Sequence, residues 1–167
     1  RRLAAAMRRT AADLLHEFKA TVAYTHSDEI SLLFMPTFKA TEPLEPTPWA
    51  WNGRVHKFNS LLASFCSVRF NAHLQQQFGG VVAGTPVANE PVAHELYADA
   101  TGLPATDELG LNLATVTYTQ KTLDKMRGTT ATFDSRLFSL DQLSLAHECL
   151  VWRQRHDCNR NSLHGLA

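Results

Sequence analysis

Two strand-like runs flank four polar residues near the start of the chain, and this arrangement limits the fold more than any other stretch does. Ala20-Thr21-Val22-Ala23-Tyr24-Thr25 and Ile30-Ser31-Leu32-Leu33-Phe34-Met35 are rich in β-branched and aromatic residues, which suit a pleated, half-buried surface. Between them His26-Ser27-Asp28-Glu29 has the length and polarity of a hairpin connection. The segment therefore predicts an antiparallel hairpin with two carboxylates at or beside its turn. Ahead of it, Leu3, Met7, Ala11, Leu14, Leu15 and Phe18 recur at spacings of three and four. Residues 2–18 thus read as an amphipathic helix.

Beyond the hairpin, Pro36 to Pro48 holds four prolines and no periodicity, so it reads as a loop. Asn52 to Phe78 lacks proline, and Val55, Phe58, Leu61, Leu62, Phe65, Val68 and Phe70 mark a long helix with a wide apolar face. Gly79-Gly80 is expected to end it as a C-terminal glycine. Residues 79–128 read as an insertion or long loop. Within it only Ala93 to Tyr97 has short-helix character, and Leu113 to Thr119 is either a strand or part of the insertion. Thr129 to Leu140 predicts a strand, Asp141 an N-cap, and Leu143 to Leu163 a helix. Strands separated by single helices fit one α+β domain over 1–167, a small, largely antiparallel sheet covered by helices. One strand before Arg1 would complete such a sheet.

A chain of 167 residues can bury roughly 70% of its unfolded surface, so a real core is expected. Net charge is zero, so any nucleic-acid contact has to rest on a local patch rather than on the whole-chain field. Cys66, Cys149 and Cys158 form no CxxC pair and are odd in number. They read as reduced thiols of an intracellular protein. No apolar run approaches the length of a membrane span. The opening Arg1-Arg2-Leu3-Ala4-Ala5-Ala6-Met7 could pass for a targeting presequence, but it runs straight into the first helix without an initiating Met. The simpler reading is a chain cut inside a domain.

Three constellations could carry chemistry. Ser27-Asp28-Glu29 places adjacent acids in a turn, which suits a hard divalent cation such as Mg²⁺ that takes carboxylate oxygens and bridges to phosphates. On spacing alone, a solvated turn is the commoner origin of such a pair. Arg54 and Lys57 lie three apart at the start of the second long helix, with His56 and Asn59 close by. Free backbone N–H groups and two cations make an anion site there, or simply a solvated basic turn. Trp152-Arg153-Gln154-Arg155, with Asp157, Asn159, Arg160 and Asn161, suits phosphate and base recognition, or an ordinary surface helix. No GxSxG, P-loop, GxGxxG or zinc-ligand set is present.

Taken in order, RLAAAMRRTAADLLHEFKATVAYTHSDEISLLF, NGRVHKFNSLLASFCSVRFN, ATFDSRLFSL and VWRQRHDCNRNSLHGLA resemble the tRNA-histidine guanylyltransferase family and its Thg1-like 3′–5′ RNA polymerase relatives. These stretches span residues 2–34, 52–71, 131–140 and 151–167. The resemblance implies a palm-like polymerase domain that adds a nucleotide, GTP for preference, to the 5′ end of a tRNA. The 5′-phosphate is first activated with ATP or GTP, and the 3′-hydroxyl of the incoming nucleotide then displaces the activating group. It also implies two Mg²⁺ ions. Asp28 resembles a metal-binding carboxylate, Glu29 the acid beside it that supports the metal or the activation step, and Ser27 belongs to the same motif. Arg54 and Lys57, with Asn59 near them, match nucleotide-binding positions. Arg153, Asp157 and Asn161 match a segment that serves RNA handling or supports the active site, and Asp134 and Arg136 match a structural pair.

Three departures accompany the resemblance. The family's first catalytic motif, an Asp-Gly pair, would precede Arg1, so the chain alone is expected to be inactive. Residues 72–130 match nothing in the family pattern. One extra residue precedes Asp157, which in an α-helix would turn Asp157 and Asn161 by about 100°. The implied partners are tRNA and nucleoside triphosphates, with a homo-oligomer (dimer or tetramer) and no membrane. The cytoplasm is the first compartment implied, and nucleus and mitochondrion are compatible. The rival reading is a catalytically inactive palm-fold RNA-binding or assembly module. Cyclase-type chemistry on the same fold is disfavoured by the 151–167 tail.

Overall fold

The computed structural model of the chain describes residues 2–40, 43, 45–88, 115–128 and 130–158. The first helix, α1 (Arg2–Phe18), buries Ala6, Met7, Thr10, Ala11 and Leu14, a stripe repeating at three and four residues. The stripe faces α2 (Val55–Phe78), whose buried Phe58, Leu62, Cys66, Phe70 and Leu74 fall on one row four residues apart. The helices run antiparallel: the Arg2 guanidinium donates to the Gln77 carbonyl, while Phe18 meets Phe65 edge-to-face at 5.4 Å. Their contact holds two apolar clusters. One gathers Ala6, Met7, Phe70, Leu74, Phe78, Val81 and Leu123, and the other gathers Leu14, Phe58, Leu62 and Cys66.

The predicted hairpin forms from β1 (Val22–His26) and β2 (Glu29–Leu33), paired from Val22↔Leu33 to His26↔Glu29. Alternation along β2 decides which side chains are hidden. Ile30, Leu32 and Phe34 pack on the helical core, so Glu29, Ser31 and Leu33 point the other way. The α+β class is as expected. Among the described residues, however, the sheet is three separate two-stranded antiparallel ladders. The proline-rich segment read as a loop contains β3 (Phe38–Lys39) and β4 (Glu45–Pro46), with Lys39 Nζ 3.1 Å from Glu45 Oε2. Within 79–128, β5 (Pro86–Ala88) pairs with β6 (Thr115–Thr117), and α3 (Gln120–Gly128) follows. Nothing is described between them, so the expected helical stretch Ala93–Tyr97 lies outside the described residues.

Three expectations need correction. Residues 130–140 form no strand with any described neighbour, because the polar side chains of α2 take the places of a neighbouring strand. Asn71 donates to the Ala131 carbonyl at 2.7 Å and accepts from its N–H at 2.9 Å. The Phe133 N–H reaches Ser67 Oγ at 2.9 Å, and Ser135 reaches Asn59. Second, α2 ends at Phe78 with Gly79 next, as expected, but the glycine is not left-handed; its φ of −59° and ψ of −40° are right-handed. Two arginines serve the exposed carbonyls instead: Arg2 at Gln77, and Arg127 at Phe78 (3.0 Å) and Val81 (2.5 Å). Cations also complement the negative end of the helix dipole. Third, Asp141 is not the N-cap of α4 (Leu143–Trp152): Gln142 occupies that position and makes no capping bond. Past Trp152 the chain winds as a π-helix, Arg153–Cys158.

A charged cluster also crosses the α1–α2 seam. Asp13 Oδ2 receives Arg69 Nε and His73 Nε2, each at 2.6 Å. Burial pushes the Asp13 carboxyl up, but the hydrogen bonds and charges of Arg69 and His73 outweigh it and hold the pKa below the ordinary aspartate value of 3.8. A depressed folded-state pKa stabilises the fold above the unfolded value and loses that contribution as pH falls through the folded one. Urea unfolding should therefore show a constant stability gap between the protein and Asp13→Asn near neutrality. The gap should narrow only as pH drops below about 4; a gap unchanged down to pH 3 would remove the contact from the stability account. Asn71→Ala leaves both backbone groups of Ala131 unpartnered. It should cost about 2 kcal/mol and lower Tm by roughly 5 °C, measured by thermal unfolding.

Candidate active site at the acidic turn

Ser27 and Asp28 are the two residues of the hairpin turn, closed by the pair His26↔Glu29. Ser27 has φ of 53°, a left-handed conformation that costs a non-glycine residue on the order of 1 kcal/mol. Positive φ at the first turn position alone is the type II′ pattern, whose twist matches a hairpin. Thr25 Oγ1 donates to the Glu29 carbonyl at 2.9 Å and braces the turn from the strand. The turn projects Asp28 into solvent, where its carboxylate has no hydrogen-bond or ion-pair partner among the described residues.

Glu29 begins the outward-facing row of β2, and there the C-terminal part of the chain meets it. Leu143, Ser144, His147 and Leu150 of α4 face Leu33 across an open groove, and the residue after α4 reaches the turn. Arg153 Nη2 then lies 2.6 Å from Glu29 Oε2, with the arginine side chain 27% exposed and the glutamate 56%. Behind this ion pair is a cavity of about 10 Å³ lined by Tyr24, His26, Glu29, Ser31 and Arg153, room for a single water. His26 Nε2 is buried there without a partner, so one water would complete its hydrogen bonding. Tyr24, His26 and Ser31 escaped the sequence reading. Period-two spacing from Glu29, and the cross-strand partners of β2, were the available signal.

The basic start of α2 lies elsewhere. Trp51, Asn52 and Gly53 all have positive φ (52°, 54° and 68°), a left-handed turn just before the helix. It tucks the Trp51 ring against Phe18 and Phe58 at 6.0 and 5.0 Å. Lys57 Nζ lies 6.0 Å from the same ring centroid, a cation–π distance. Arg54 is the N-cap residue and makes no side-chain capping bond, so the first N–H groups of α2 keep their attraction for an anion. Phe34 packs on Phe58 at 5.5 Å, which sets the start of α2 beside the open end of the hairpin. From Phe34 to Asp28 the extended chain covers roughly 20 Å. The structure thus brings Arg153 to Glu29, whereas Arg54 and Lys57 stand together at the opposite end. Asn59 is engaged with Ser135 at 3.3 Å. Asp157 falls within the π-helical turn, and Asn161 lies outside the described residues. A π-turn closes its hydrogen bonds one residue further along than an α-turn, which is how a helix can absorb the extra residue before Asp157. Asp134 and Arg136 pair at 3.3 Å, both largely exposed.

The donor set at the turn is oxygen only, as Mg²⁺ prefers, and Mg²⁺ commonly keeps several waters and takes just one or two protein carboxylates. No group of three His, Cys, Asp or Glu side chains converges among the described residues. Asp28 and Glu29 therefore fit an open site that phosphates and water complete, not a closed protein cage. Cys66 offers no nucleophile, since burial pushes its thiol up to about 11. No helix among the described residues is long and apolar enough to cross a membrane.

A mixed α+β domain with an acidic, oxygen-donor turn and a separate basic helix start has the makings of a phosphate-handling protein. Comparison with known proteins makes that specific: residues 1–141 match the Thg1 family, tRNAHis guanylyltransferase, and the chain belongs to that family. An uncharacterized protein of Acanthamoeba polyphaga mimivirus, R259, is 30% identical over 171 residues, a match covering 99% of this chain and 47% of the relative. The chain thus spans less than half of that relative's length. No solved structure matches. The matched residues include the acidic turn and the start of α2 but stop before Arg153.

Gly53 has φ of +68°, and an added Cβ would meet only the Trp49 Cβ, at 4.0 Å, so Gly53→Ala tests the backbone conformation with little added crowding. It should destabilise the fold by about 1 kcal/mol and lower Tm by roughly 3 °C. A Tm equal to that of the unmodified protein would show that the left-handed turn is not required.

Proposed function

We propose that the protein carrying this chain is a Mg²⁺-dependent nucleotidyltransferase that adds a nucleotide, GTP for preference, to the 5′ end of a tRNA. It would act in tRNA-His maturation or in 5′-end repair, on a palm-like domain formed by the single unit 1–167. The carrying observation is that the family match includes a hairpin turn presenting Asp28 as a carboxylate without a partner among the described residues, beside Glu29. Bound there, Mg²⁺ would supply neutralisation of phosphate charge and orientation of the attacking hydroxyl. Asp28 and Glu29 would hold the ion. Ser27 shapes the turn and keeps its side chain near the same phosphates.

Arg54, Lys57 and the free N–H groups of α2 would bind phosphate at the other end of the hairpin, with Asn59 next to them. Two separate phosphate sites suit a reaction whose substrates (ATP, GTP and a 5′-phosphorylated RNA) all carry phosphate. Arg153, Asp157 and Asn161 would serve the RNA end or support the acidic turn. The test supplies the full-length protein with a 5′-monophosphorylated or 5′-truncated tRNA, Mg²⁺, ATP and labelled GTP. Label should enter at the 5′ end, and Asp28→Ala should reduce entry by about 100-fold or more. If the unmodified protein binds tRNA but adds nothing to any 5′ end, it is an RNA-binding or assembly module and the enzymatic reading fails.

A further inference from the structure

Arg153 occupies a carboxylate that the metal reading needs. Its Nη2 sits 2.6 Å from Glu29 Oε2, so the acidic turn as folded holds one paired acid and one without a partner. A cation at that distance opposes the approach of a second cation, all the more a divalent one. The pair is also exchangeable: Glu29 is more than half exposed, and ion pairs in that setting are weakly held. The cavity behind it is water-sized and lined by Tyr24, His26 and Ser31 as well as by the ion pair, and the buried His26 Nε2 has no partner among the described residues. Arg153 is the first residue of a π-helical turn, a form that is rare, usually a single turn, and frequent at functional sites.

We propose that Arg153 and the divalent cation are alternative partners of Glu29, and that Arg153, once displaced, binds a phosphate of the substrate that the cation holds. The proposal rests on the metal reading given above and adds the identity of the phosphate-binding cation at this end of the hairpin. Arg54 and Lys57 are roughly 20 Å of strand away, whereas Arg153 already touches the turn. A guanidinium accepts the change of partner readily, since its fork of N–H donors fits a phosphate as well as a carboxylate. Charge stays balanced through the exchange: the Arg153–Glu29 pair is replaced by a metal–carboxylate pair and an arginine–phosphate pair. By linkage, metal binding loosens α4 from the turn to the same extent that docking of α4 weakens metal binding.

The two halves of the exchange predict effects of opposite sign, which a merely structural role for Arg153 would not give. Binding of Mn²⁺, followed by its electron paramagnetic resonance signal on the full-length protein, should tighten about fivefold in Arg153→Gln. Binding of tripolyphosphate to the Mn²⁺-loaded protein should weaken several-fold in the same variant, and Arg153→Lys should restore part of it. In a Glu29→Gln background, Arg153→Gln should no longer change Mn²⁺ affinity, because the competing pair is already gone. Mn²⁺ binding that Asp28→Asn leaves untouched would overturn the metal reading and the exchange with it. Asp28-dependent Mn²⁺ binding that Arg153→Gln fails to tighten would overturn the exchange alone.

Discussion

Ile30 from the hairpin and Phe133 from the 130–140 segment both pack against each of the two clusters between α1 and α2. The rest of the described structure depends on that helix pair. Each buried Leu, Met or Phe in it contributes on the order of 2 kcal/mol of apolar transfer, far more than any hydrogen bond on the surface. With α1 and α2 antiparallel, one groove accepts the inward row of β2, Ile30-Leu32-Phe34, and the aromatic edge of Phe133. Arg2 and Arg127 close one end of the pair by capping the carbonyls of α2. Trp51 closes the other, wedged between Phe18 and Phe58.

The acidic turn inherits its position from this packing. A strand has period two, so burying Ile30, Leu32 and Phe34 turns Glu29, Ser31 and Leu33 to the opposite face. Shifting the register by one residue would bury Glu29 against Phe70 and Leu62 and expose the apolar row, which the desolvation of a carboxylate forbids. Glu29 is therefore aimed outward by its neighbours' need for burial, not by any contact of its own. Asp28 in turn is fixed by the two-residue connection, whose left-handed Ser27 leaves no slack. The chain spends a little strain at Ser27 to fix the backbone from which the Asp28 carboxylate projects at a solvent-facing tip. Rigidity there is useful where an ion with strict geometry has to be met.

What could be read from the sequence follows the same division. α1, the hairpin and the body of α2 were legible because each carries a run long enough to show its period, with turn or glycine signals at its ends. The segment 130–140 was misread for a physical reason. Thr129-Thr130-Ala131-Thr132-Phe133 has β-type composition, but a strand also requires a neighbouring backbone. Ser67 and Asn71 supply its backbone partners from the side chains of a helix, and that pairing leaves no local mark. α3 was missed because only Leu123 of its residues is buried, so it presents no stripe. The C-terminus of α2 looked like a glycine stop, while two arginines from distant positions do the capping. At the site, Asp28 and Glu29 could be found from adjacency in a turn. Arg153 could be matched as a segment but not placed, because its meeting with Glu29 spans the whole fold.

Zero net charge at first argues against a phosphate-binding role, since it supplies no long-range field. The structure shows how a neutral chain can still present strong local charge. The two ends of one hairpin are separated by roughly 20 Å, about two Debye lengths at physiological salt. At one end stand the carboxylates of Asp28 and Glu29; at the other stand Arg54, Lys57 and the positive end of α2. Screening at that distance lets each end act on its own ligands without cancelling the other. Arg153 is the exception: it carries positive charge to the acidic end, and it is held there by a carboxylate instead of standing free. If the turn binds a metal as proposed, a lone acidic turn would repel the phosphates that the metal would receive. Under the proposed exchange, holding Arg153 on the turn until an ion and its anion arrive together would keep the local charge near neutral at every stage.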